Sequence, residues 1–271
     1  MSFGGKRVLA LESRRGLEIA ELIRRHGGEP LLAPALREAP LEQNQAVFEF
    51  AGRLFAGGFD LVVLLTGVGT RQLNRLLAAR YGESALADGL RRVAIVARGP
   101  KPVAALREMG LKADVVAPEP NTWRELLQAV EGRPERRIAV QEYGRSNAAL
   151  LTGLARSGAT VTAVRVYQYA LPEDTGPLRE AVRRLAAGEI AVSLFTTAVQ
   201  IEHLVRVAAE EGLEGAALDG LRKTLVCSIG PTTTEALAEF EIRPALEPSH
   251  SRMGLLVKEA AERSSLQGGL H

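Results

Sequence analysis

Short apolar runs alternate with longer amphipathic stretches along this chain. Between the runs, apolar residues recur at helical spacing, as at Leu17, Ala20 and Ile23, and glycines such as Gly158 follow as helix stops. The runs are nearly continuous, as is typical of parallel strands covered by helices on both faces. The alternation predicts right-handed βαβ units and doubly wound sheets. The predicted strands are Val8–Leu11, Glu29–Leu32, Leu61–Leu65, Val93–Val96, Val115–Val116, Ile138–Val140, Thr160–Val164, Ala191–Phe195, Thr224–Ser228 and Ala245–Leu246.

The whole pattern occurs twice. The segment RVLALESRRGLEIAELIRRHGGEPLLAPAL starts at Arg7 and returns at Arg137 as RIAVQEYGRSNAALLTGLARSGATVTAVRV. VVLLTGVGTRQL, from Val62, returns at the same offset from Val192 as VSLFTTAVQIEHL, and a third block aligns Gly99 with Gly230. Three blocks in one order indicate two copies of a folding unit. We therefore predict two similar flavodoxin-like α/β domains with parallel sheets, and a ligand site in the cleft between them.

Two extended segments interrupt the alternation. After the second strand of each copy the chain continues as Ala35–Pro40 and as Arg165–Pro172, and both segments end at a proline. The repeat offset places Leu36 opposite Val166. Because β-rich segments at equivalent places can pair, the sequence predicts a two-stranded linker where the chain crosses between domains.

Composition restricts the classes of function. The length of 271 residues fits two domains, and a net charge of +2 from 34 basic and 32 acidic residues gives no support for a nucleic-acid partner. The single cysteine excludes an intrachain disulfide, and the four histidines lack metal-ligand spacing, so we expect neither metal nor cofactor. The longest wholly apolar run, Leu61–Leu65, is too short to cross a membrane, and the N-terminus lacks the apolar core of a signal peptide. We expect a cytoplasmic protein.

The strand-to-helix turns are the candidate ligand site, because open α/β sheets bind ligands beyond the carboxyl ends of their strands. The turns are rich in glycine and hydroxyl residues, and helix N-termini there favour anions. Four positive side chains, on three of the turns, suit a ligand with several carboxylates. The same residue types are also ordinary N-caps and turn formers, and that alternative stays open. The candidate binding residues are Arg14, Thr66, Gly67, Arg98, Lys101, Tyr143, Gly144, Arg145, Ser146, Asn147, Thr196, Thr197, Ala198, Gly230, Thr232 and Thr233.

Other known site types find little support. Gly67-Val68-Gly69 lacks the third glycine of a dinucleotide fingerprint, and the GPTT turn at Gly230 is too short for a phosphate loop. Glu12 and Glu142 are repeat-equivalent and are either acid–base groups or polar residues at strand ends.

Three segments of the second copy carry a family resemblance: VRVYQYALP from Val164, SLFTTAVQIEHL from Ser193 and CSIGPTTTEAL from Cys227. With GGEPLLAPAL and VARGPKPVAALREMGLKADVVAP of the first copy, they make residues 5–262 similar to uroporphyrinogen-III synthases. The IGPTT stretch is the most specific of these motifs. Two positions depart from the family pattern: Thr66-Gly67 replaces a Thr/Ser-Ser pair, and Pro102 replaces a threonine.

The resemblance implies a lyase of porphyrin and heme biosynthesis that needs no cofactor. Its substrate is the linear tetrapyrrole hydroxymethylbilane, which it closes to uroporphyrinogen III with loss of water and inversion of ring D. Each pyrrole carries an acetate and a propionate, which agrees with anion-binding turns. Tyr167 is the candidate catalytic residue, as a neutral phenol that hydrogen-bonds or protonates the leaving hydroxyl.

The resemblance also implies where the domains begin and end. It places residues 1–36 plus 171–265 in one domain and 39–166 in the other, with linkers near 36–40 and 166–171 and a tail at 266–271. We expect a monomer. The alternatives are a non-catalytic tetrapyrrole- or anion-binding regulatory relative and a two-lobed solute-binding protein. The missing signal peptide argues against the second of these.

Overall fold

The computed structural model describes residues 2–40, 44–144, 146–156 and 158–267. Strands and helices alternate through these residues. The strands are β1 (Arg7–Ala10), β2 (Glu29–Leu32), β3 (Arg37–Pro40), β4 (Leu61–Leu64), β5 (Ala94–Ala97), β6 (Val115–Val116), β7 (Arg137–Tyr143), β8 (Thr160–Ala170), β9 (Val192–Phe195) and β10 (Leu225–Ser228). The helices are α1 (Gly16–Arg25), α2 (Gln45–Phe55), α3 (Gly67–Tyr81), α4 (Ala85–Leu90), α5 (Pro100–Glu108), α6 (Trp123–Ala129), α7 (Ala148–Ala155), α8 (Gly176–Ala186), α9 (Val199–Glu210), α10 (Glu214–Lys223), α11 (Pro231–Ala238) and α12 (Met253–Gln267).

The chain divides by its contacts into two compact units. Unit 1 consists of Met1–Arg37 together with Ala170–His271, and unit 2 consists of Glu38–Tyr169. Unit 1 is therefore discontinuous in sequence, whereas unit 2 is a single stretch.

Unit 1 is built on a parallel four-stranded sheet in the order β10-β9-β1-β2. Alternate residues of each strand supply opposite faces. Leu9 and Phe195 belong to the core against α8, α9 and α10, whereas Val8 and Leu194 belong to the core against α1 and α12. The predicted strand at Ala245–Leu246 is reduced to one parallel bridge between Leu246 and Cys227.

Unit 2 has a six-stranded sheet in the order β3-β8-β7-β4-β5-β6. The pairs from β8 to β6 are parallel. One face packs Val62 and Leu64 against α2, α3 and α4, and the other packs Leu61 and Val63 against α6 and α7. The prediction of an α/β protein with parallel sheets, each covered on both faces, is confirmed.

The two sheets share one strand order across the repeat. In unit 1, β1 and β2 of the first copy join β9 and β10 of the second; in unit 2, β7 and β8 of the second copy join β4 and β5 of the first. Each sheet thus combines the opening βαβ unit of one copy with the later strands of the other. The strand order is what two copies of one unit would give.

The predicted ends of β7 and β8 were wrong. We expected β7 to stop at Val140 and β8 at Val164, but the strands continue to Tyr143 and Ala170. Pairing between backbones needs no apolar side chains, so the polar ends of these strands stay in the sheet, with a register shift between Glu142 and Tyr143. The second predicted linker segment therefore forms the end of β8, from Arg165 to Ala170. The first contains β3, which is the neighbour of β8 in the sheet of unit 2.

No helix in the described part of the chain is long and apolar enough to span a membrane.

Candidate functional site

The turn after β4 is centred on Thr66 in unit 2. Thr66 is the N-cap of α3, and its Oγ1 accepts the Gly69 N–H at 3.0 Å. The Thr70 hydroxyl donates to the Thr66 carbonyl at 2.8 Å, which closes the first turn of the helix. The Thr66 side chain therefore has the capping role that threonine commonly takes at a helix start.

Thr66 also contacts the candidate catalytic residue. Its Oγ1 lies 3.3 Å from Tyr167 Oη, although the two residues are 101 positions apart. Tyr167 is 3% exposed and packs in the core of unit 2, with its ring edge-to-face against Tyr169 at 5.6 Å. The backbone N–H of Gly144 donates to the Tyr167 carbonyl at 3.2 Å. Two hydroxyl groups thus meet where β4 and β8 approach their carboxyl ends.

A buried amide supports this turn, and sequence reasoning missed it. Gln141, on β7, is 1% exposed; its Oε1 accepts the Thr66 N–H at 3.2 Å and its Nε2 donates to the Glu142 carbonyl at 2.9 Å. A Cβ at Gly69 would lie 2.1 Å from Gln141 Nε2. Glycine at position 69 therefore leaves room for the amide.

Glu142 anchors the turn after β7. Its buried carboxylate accepts the Ser146 hydroxyl at 2.8 Å and the Asn147 N–H at 3.2 Å. Asn147 in turn caps α7, since its Oδ1 accepts the Leu150 N–H at 2.9 Å. These bonds favour the strand-end interpretation of Glu142 over an acid–base role. Arg145 and the side chain of Tyr143 lie outside the described part of the structure.

Gly67 packs closely against the backbone of α5. It is the first residue of α3, and a Cβ there would lie 2.5 Å from the Lys101 carbonyl oxygen on α5. A serine at this position would therefore collide with backbone, which explains the departure from the family's Thr/Ser-Ser pair. Lys101 has an exposed side chain, and Arg98, at the end of β5, is half-buried.

The repeat-equivalent turn in unit 1 is centred on Thr196. Its hydroxyl donates to Glu12 Oε2 at 2.6 Å, and Glu12 Oε1 accepts the N–H groups of Arg14 and Arg15 at 3.1 and 3.2 Å. Gln200 Oε1 accepts the N–H groups of Thr196 and Thr197 at 2.7 and 3.2 Å. Glu12 thus joins the turns after β1 and β9, and the Arg14 side chain is exposed beside them. Ala198, which completes the turn, is half-buried.

The GPTT turn presents one of its two candidate threonines to solvent. Thr232 is exposed, whereas Thr233 is 3% exposed and its N–H donates to the Gly230 carbonyl at 3.0 Å. A Cβ at Gly230 would lie 2.6 Å from Ser251 Oγ, so a side chain there would require the Ser251 hydroxyl to move. Thr233 is the third residue of α11 and is buried there, so Thr232 is the more accessible of the two threonines. The ligand role of Thr233 stays a prediction.

The described residues show neither a reactive thiol nor a cluster of metal ligands. Burial raises the pKa of the Cys227 thiol to about 12, so it stays protonated near neutral pH. Within the described ranges, no group of three or more His, Cys, Asp or Glu residues could hold a metal ion. What both units do present at the carboxyl ends of their strands is hydroxyls, helix N-termini and arginine or lysine side chains. Such an edge suits a ligand with several carboxylates.

Comparisons with known proteins place the chain in a family. The family model described as uroporphyrinogen-III synthase HemD matches residues 18–258. A protein of Methanothermobacter thermautotrophicus, provisionally named a uroporphyrinogen-III synthase, is 31% identical over 84% of this chain and 87% of its own. An uncharacterized protein of Bacillus subtilis is 28% identical over 95% of this chain and 96% of its own.

A solved structure agrees with the family model. A mutant uroporphyrinogen III synthase from the extremely thermophilic bacterium Thermus thermophilus is 28% identical and matches with a TM-score of 0.72, over 97% of this chain and 100% of that one. The chain therefore belongs to the uroporphyrinogen-III synthase family.

Proposed function

We propose that this protein cyclises hydroxymethylbilane to uroporphyrinogen III, with loss of water and inversion of ring D. Family membership supports the substrate class. The observation that carries the reaction is the hydroxyl pair of Thr66 and Tyr167, 3.3 Å apart, at the edge of a parallel sheet where α/β proteins bind ligands. No metal or cofactor is part of this proposal.

The proposed chemistry needs only a weak acid. As the terminal hydroxyl of the substrate leaves, the Tyr167 phenol hydrogen-bonds to it or gives it a proton, and water departs. A phenol suits this step because it remains protonated at neutral pH. The electron pair of the adjacent pyrrole nitrogen expels the water and leaves the azafulvene as its protonated cation. The substituted α-carbon of ring D then bonds to the azafulvene methylene carbon, which gives a spiro intermediate. The older bond from that α-carbon to its bridging carbon breaks, and the bridging carbon bonds to the free α-carbon of ring D. That carbon loses its proton, which replaces the proton given by the phenol, and ring D is left inverted. The hydroxymethyl carbon is intrinsically reactive, so the main task of the protein is to hold one folded conformation of the substrate.

Within each unit, the turns at the carboxyl ends of the strands are proposed to bind substrate carboxylates. The N-terminus of α3 at Thr66, the N-terminus of α9 after Thr197 and the side chains of Arg14, Arg98 and Lys101 would contact them, since helix N-termini and cations favour anions. Thr232 is the candidate on the GPTT turn. Gly67 and Gly230 contribute by permitting close packing rather than by direct contact.

We further propose that units 1 and 2 are flavodoxin-like domains, linked by the two chain crossings near residues 37 and 170. We also propose that the protein is a cytoplasmic monomer. The discontinuous division of the chain supports the domain assignment, and the shared strand order supports descent from a duplicated unit.

The test is a product assay. Purified protein is incubated with freshly prepared hydroxymethylbilane, and the isomers are resolved after oxidation to porphyrins. The proposal expects the type III isomer in excess over a heat-inactivated control. Formation of type I alone, at the spontaneous rate, would contradict it. Saturable binding of the bilane together with type I alone would instead identify a non-catalytic, regulatory tetrapyrrole-binding relative.

A further inference from the structure

Buried glutamine amides support equivalent turns in the two units. Thr66 follows β4, and Thr196 stands at the same offset after β9; in each case a glutamine Oε1 accepts the threonine N–H. The amides come from different elements, since Gln141 lies on a strand and Gln200 on a helix. At the repeat-equivalent positions stand Leu11 and Thr70, so the two amides are not copies of each other.

In unit 2 the Gln141 amide bonds to the Thr66 backbone, and the Thr66 hydroxyl lies beside the Tyr167 phenol. Both ends of Gln141 are bonded, to the Thr66 N–H and to the Glu142 carbonyl, so the amide is fixed. The fixed amide sets the backbone of Thr66, and the side chain then reaches Tyr167 Oη. Displacing the amide would move the hydroxyl that contacts the phenol.

In unit 1 the equivalent threonine hydroxyl is held by a carboxylate. Thr196 donates to Glu12 at 2.6 Å and accepts from Gln200 Nε2 at 3.0 Å, and the same Nε2 donates to the Leu11 carbonyl at 2.9 Å. A hydroxyl has one hydrogen to donate, and the Thr196 hydroxyl donates it to the Glu12 carboxylate. This turn therefore has no hydroxyl hydrogen left for chemistry, and Gln200 Oε1 also accepts the N–H groups of Thr196 and Thr197. A ligand there would instead meet the N-terminus of α9 and the exposed Arg14 side chain.

We propose that Gln141 is a positioning residue for the Thr66–Tyr167 pair, and that Gln200 is a positioning residue for the substrate-binding turn at Thr196. This proposal rests on the proposed function. It predicts a division of labour: losing the first amide slows the chemical step, and losing the second weakens binding.

Two matched variants test it. Gln141→Leu and Gln200→Leu each remove one buried amide with little change of volume. For Gln141, leucine is also the residue at the repeat-equivalent position, Leu11. Since one ordinary hydrogen bond is worth at most about a factor of ten, we expect Gln141→Leu to lower kcat about tenfold with KM within about twofold. For Gln200→Leu we expect KM to rise about tenfold with kcat within about twofold. Equal effects of both variants on kcat and KM would overturn the proposal, as would an unchanged kcat in Gln141→Leu.

A third variant and a ligand-free readout keep the test decisive. Gly69→Ala puts a methyl group where the Gln141 amide lies, so it displaces the amide without removing it and should lower kcat like Gln141→Leu. The pKa of the Tyr167 phenol is followed by ultraviolet titration of the tyrosines, with Tyr167→Phe identifying the Tyr167 signal. This pKa should differ from that of the parent in Gln141→Leu and Gly69→Ala but not in Gln200→Leu. A parental pKa in both unit 2 variants would refute the positioning role. If the parent protein forms no type III isomer, the proposed function fails, while the titration still reports on positioning.

Discussion

Tyr167 is a core residue with one polar atom at a functional edge. Its ring is buried against Tyr169, and its hydroxyl meets another hydroxyl, at Thr66. Tyr167→Phe keeps the packing and removes the oxygen. We expect kcat to fall about tenfold, because the lost hydrogen bond is of ordinary strength, and the free energy of unfolding to change by about 1 kcal/mol. The product assay and urea unfolding measure the two effects.

The control for this variant is Tyr81→Phe, at the exposed end of α3. It removes the same atom far along the helix from Thr66, and its product ratio and rate should equal those of the parent. A Tyr167→Phe protein with parental kcat would remove Tyr167 from the chemistry.

Sequence patterns predict some roles of single residues and not others. Tyr167 was identified because its motif resembles a family motif, and Glu142 because it is repeat-equivalent to Glu12. Gln141 carries no such signal. Its partner Thr66 is 75 positions away, and only folding brings the two together. The sequence shows a polar residue at the end of an apolar strand, but it does not show which residue becomes its hydrogen-bond partner.

The Asp60 carboxylate is a residue whose contribution depends on pH. The Arg137 side chain, and the N–H groups of Arg136 and Arg137, hold the pKa of Asp60 at about 2, below its ordinary 3.8. Because the folded pKa is the lower one, this contribution to stability is present above about pH 4 and disappears as the pH falls through about 2.

We therefore expect Asp60→Asn to lower the free energy of unfolding at pH 7, and the difference from the parent to shrink between pH 4 and pH 2. Urea unfolding across this range measures it. Asp219→Asn is the control, since Asp219 is an exposed residue paired with Arg222 on the same helix, and such pairs contribute little. A difference between parent and Asp60→Asn that stays constant down to pH 2 would rule out the pair as its source.

At the scale of elements, the hydrophobic pattern of a short segment predicted the bounds of several strands. Glu29–Leu32 and Val115–Val116 have the predicted bounds, and β4, β9 and β10 differ by one residue at one end. All four residues of β4, of β9 and of β10 are buried, so these three strands carry the strongest apolar signal. The polar end of β8 escaped prediction because it depends on neighbouring strands: β7 pairs with β8 as far as Tyr167, and β3 is its neighbour on the other side. The pairing of β1 with β9 across the two copies likewise depends on contacts that no single segment encodes.

Helix packing in unit 1 allows a sharp test within one element. Gly220 and Gly215 both lie on α10, but a Cβ at position 220 would lie 1.8 Å from the Leu185 carbonyl oxygen of α8, whereas one at 215 meets nothing within 4 Å. Gly220→Ala should therefore lower the free energy of unfolding by about 3 kcal/mol, because backbone cannot yield as a side-chain end can.

The matched Gly215→Ala variant should raise the free energy of unfolding by about 0.5 kcal/mol through helix propensity. Equilibrium unfolding in urea compares both with the parent. Equal effects of the two substitutions would show that α8 and α10 do not approach as closely as described.

For the whole molecule, the predicted copies in the sequence and the compact units have different boundaries. The repeated segment returns at Arg137, but each sheet takes strands from before and after that point. Unit 2 alone is one continuous stretch, Glu38–Tyr169. Its β4, β5 and β6 need β7 and β8 beside them, and these come from the second copy. A cut at the repeat boundary would separate strands that are hydrogen-bonded neighbours.

This difference predicts which fragment folds. Residues 38–169 contain nearly all of the six-stranded sheet with its two cores, so the isolated fragment should unfold cooperatively in urea with an m-value of about 1–2 kcal/mol/M. Residues 1–132 have the same length but hold the β1–β2 pair, β3 and the β4–β5–β6 group without their neighbours β9, β8 and β7, and should show no cooperative transition. Circular dichroism during the titration distinguishes the outcomes. Cooperative unfolding of residues 1–132 and not of 38–169 would mean that the sequence copies, rather than the compact units, are the folding domains.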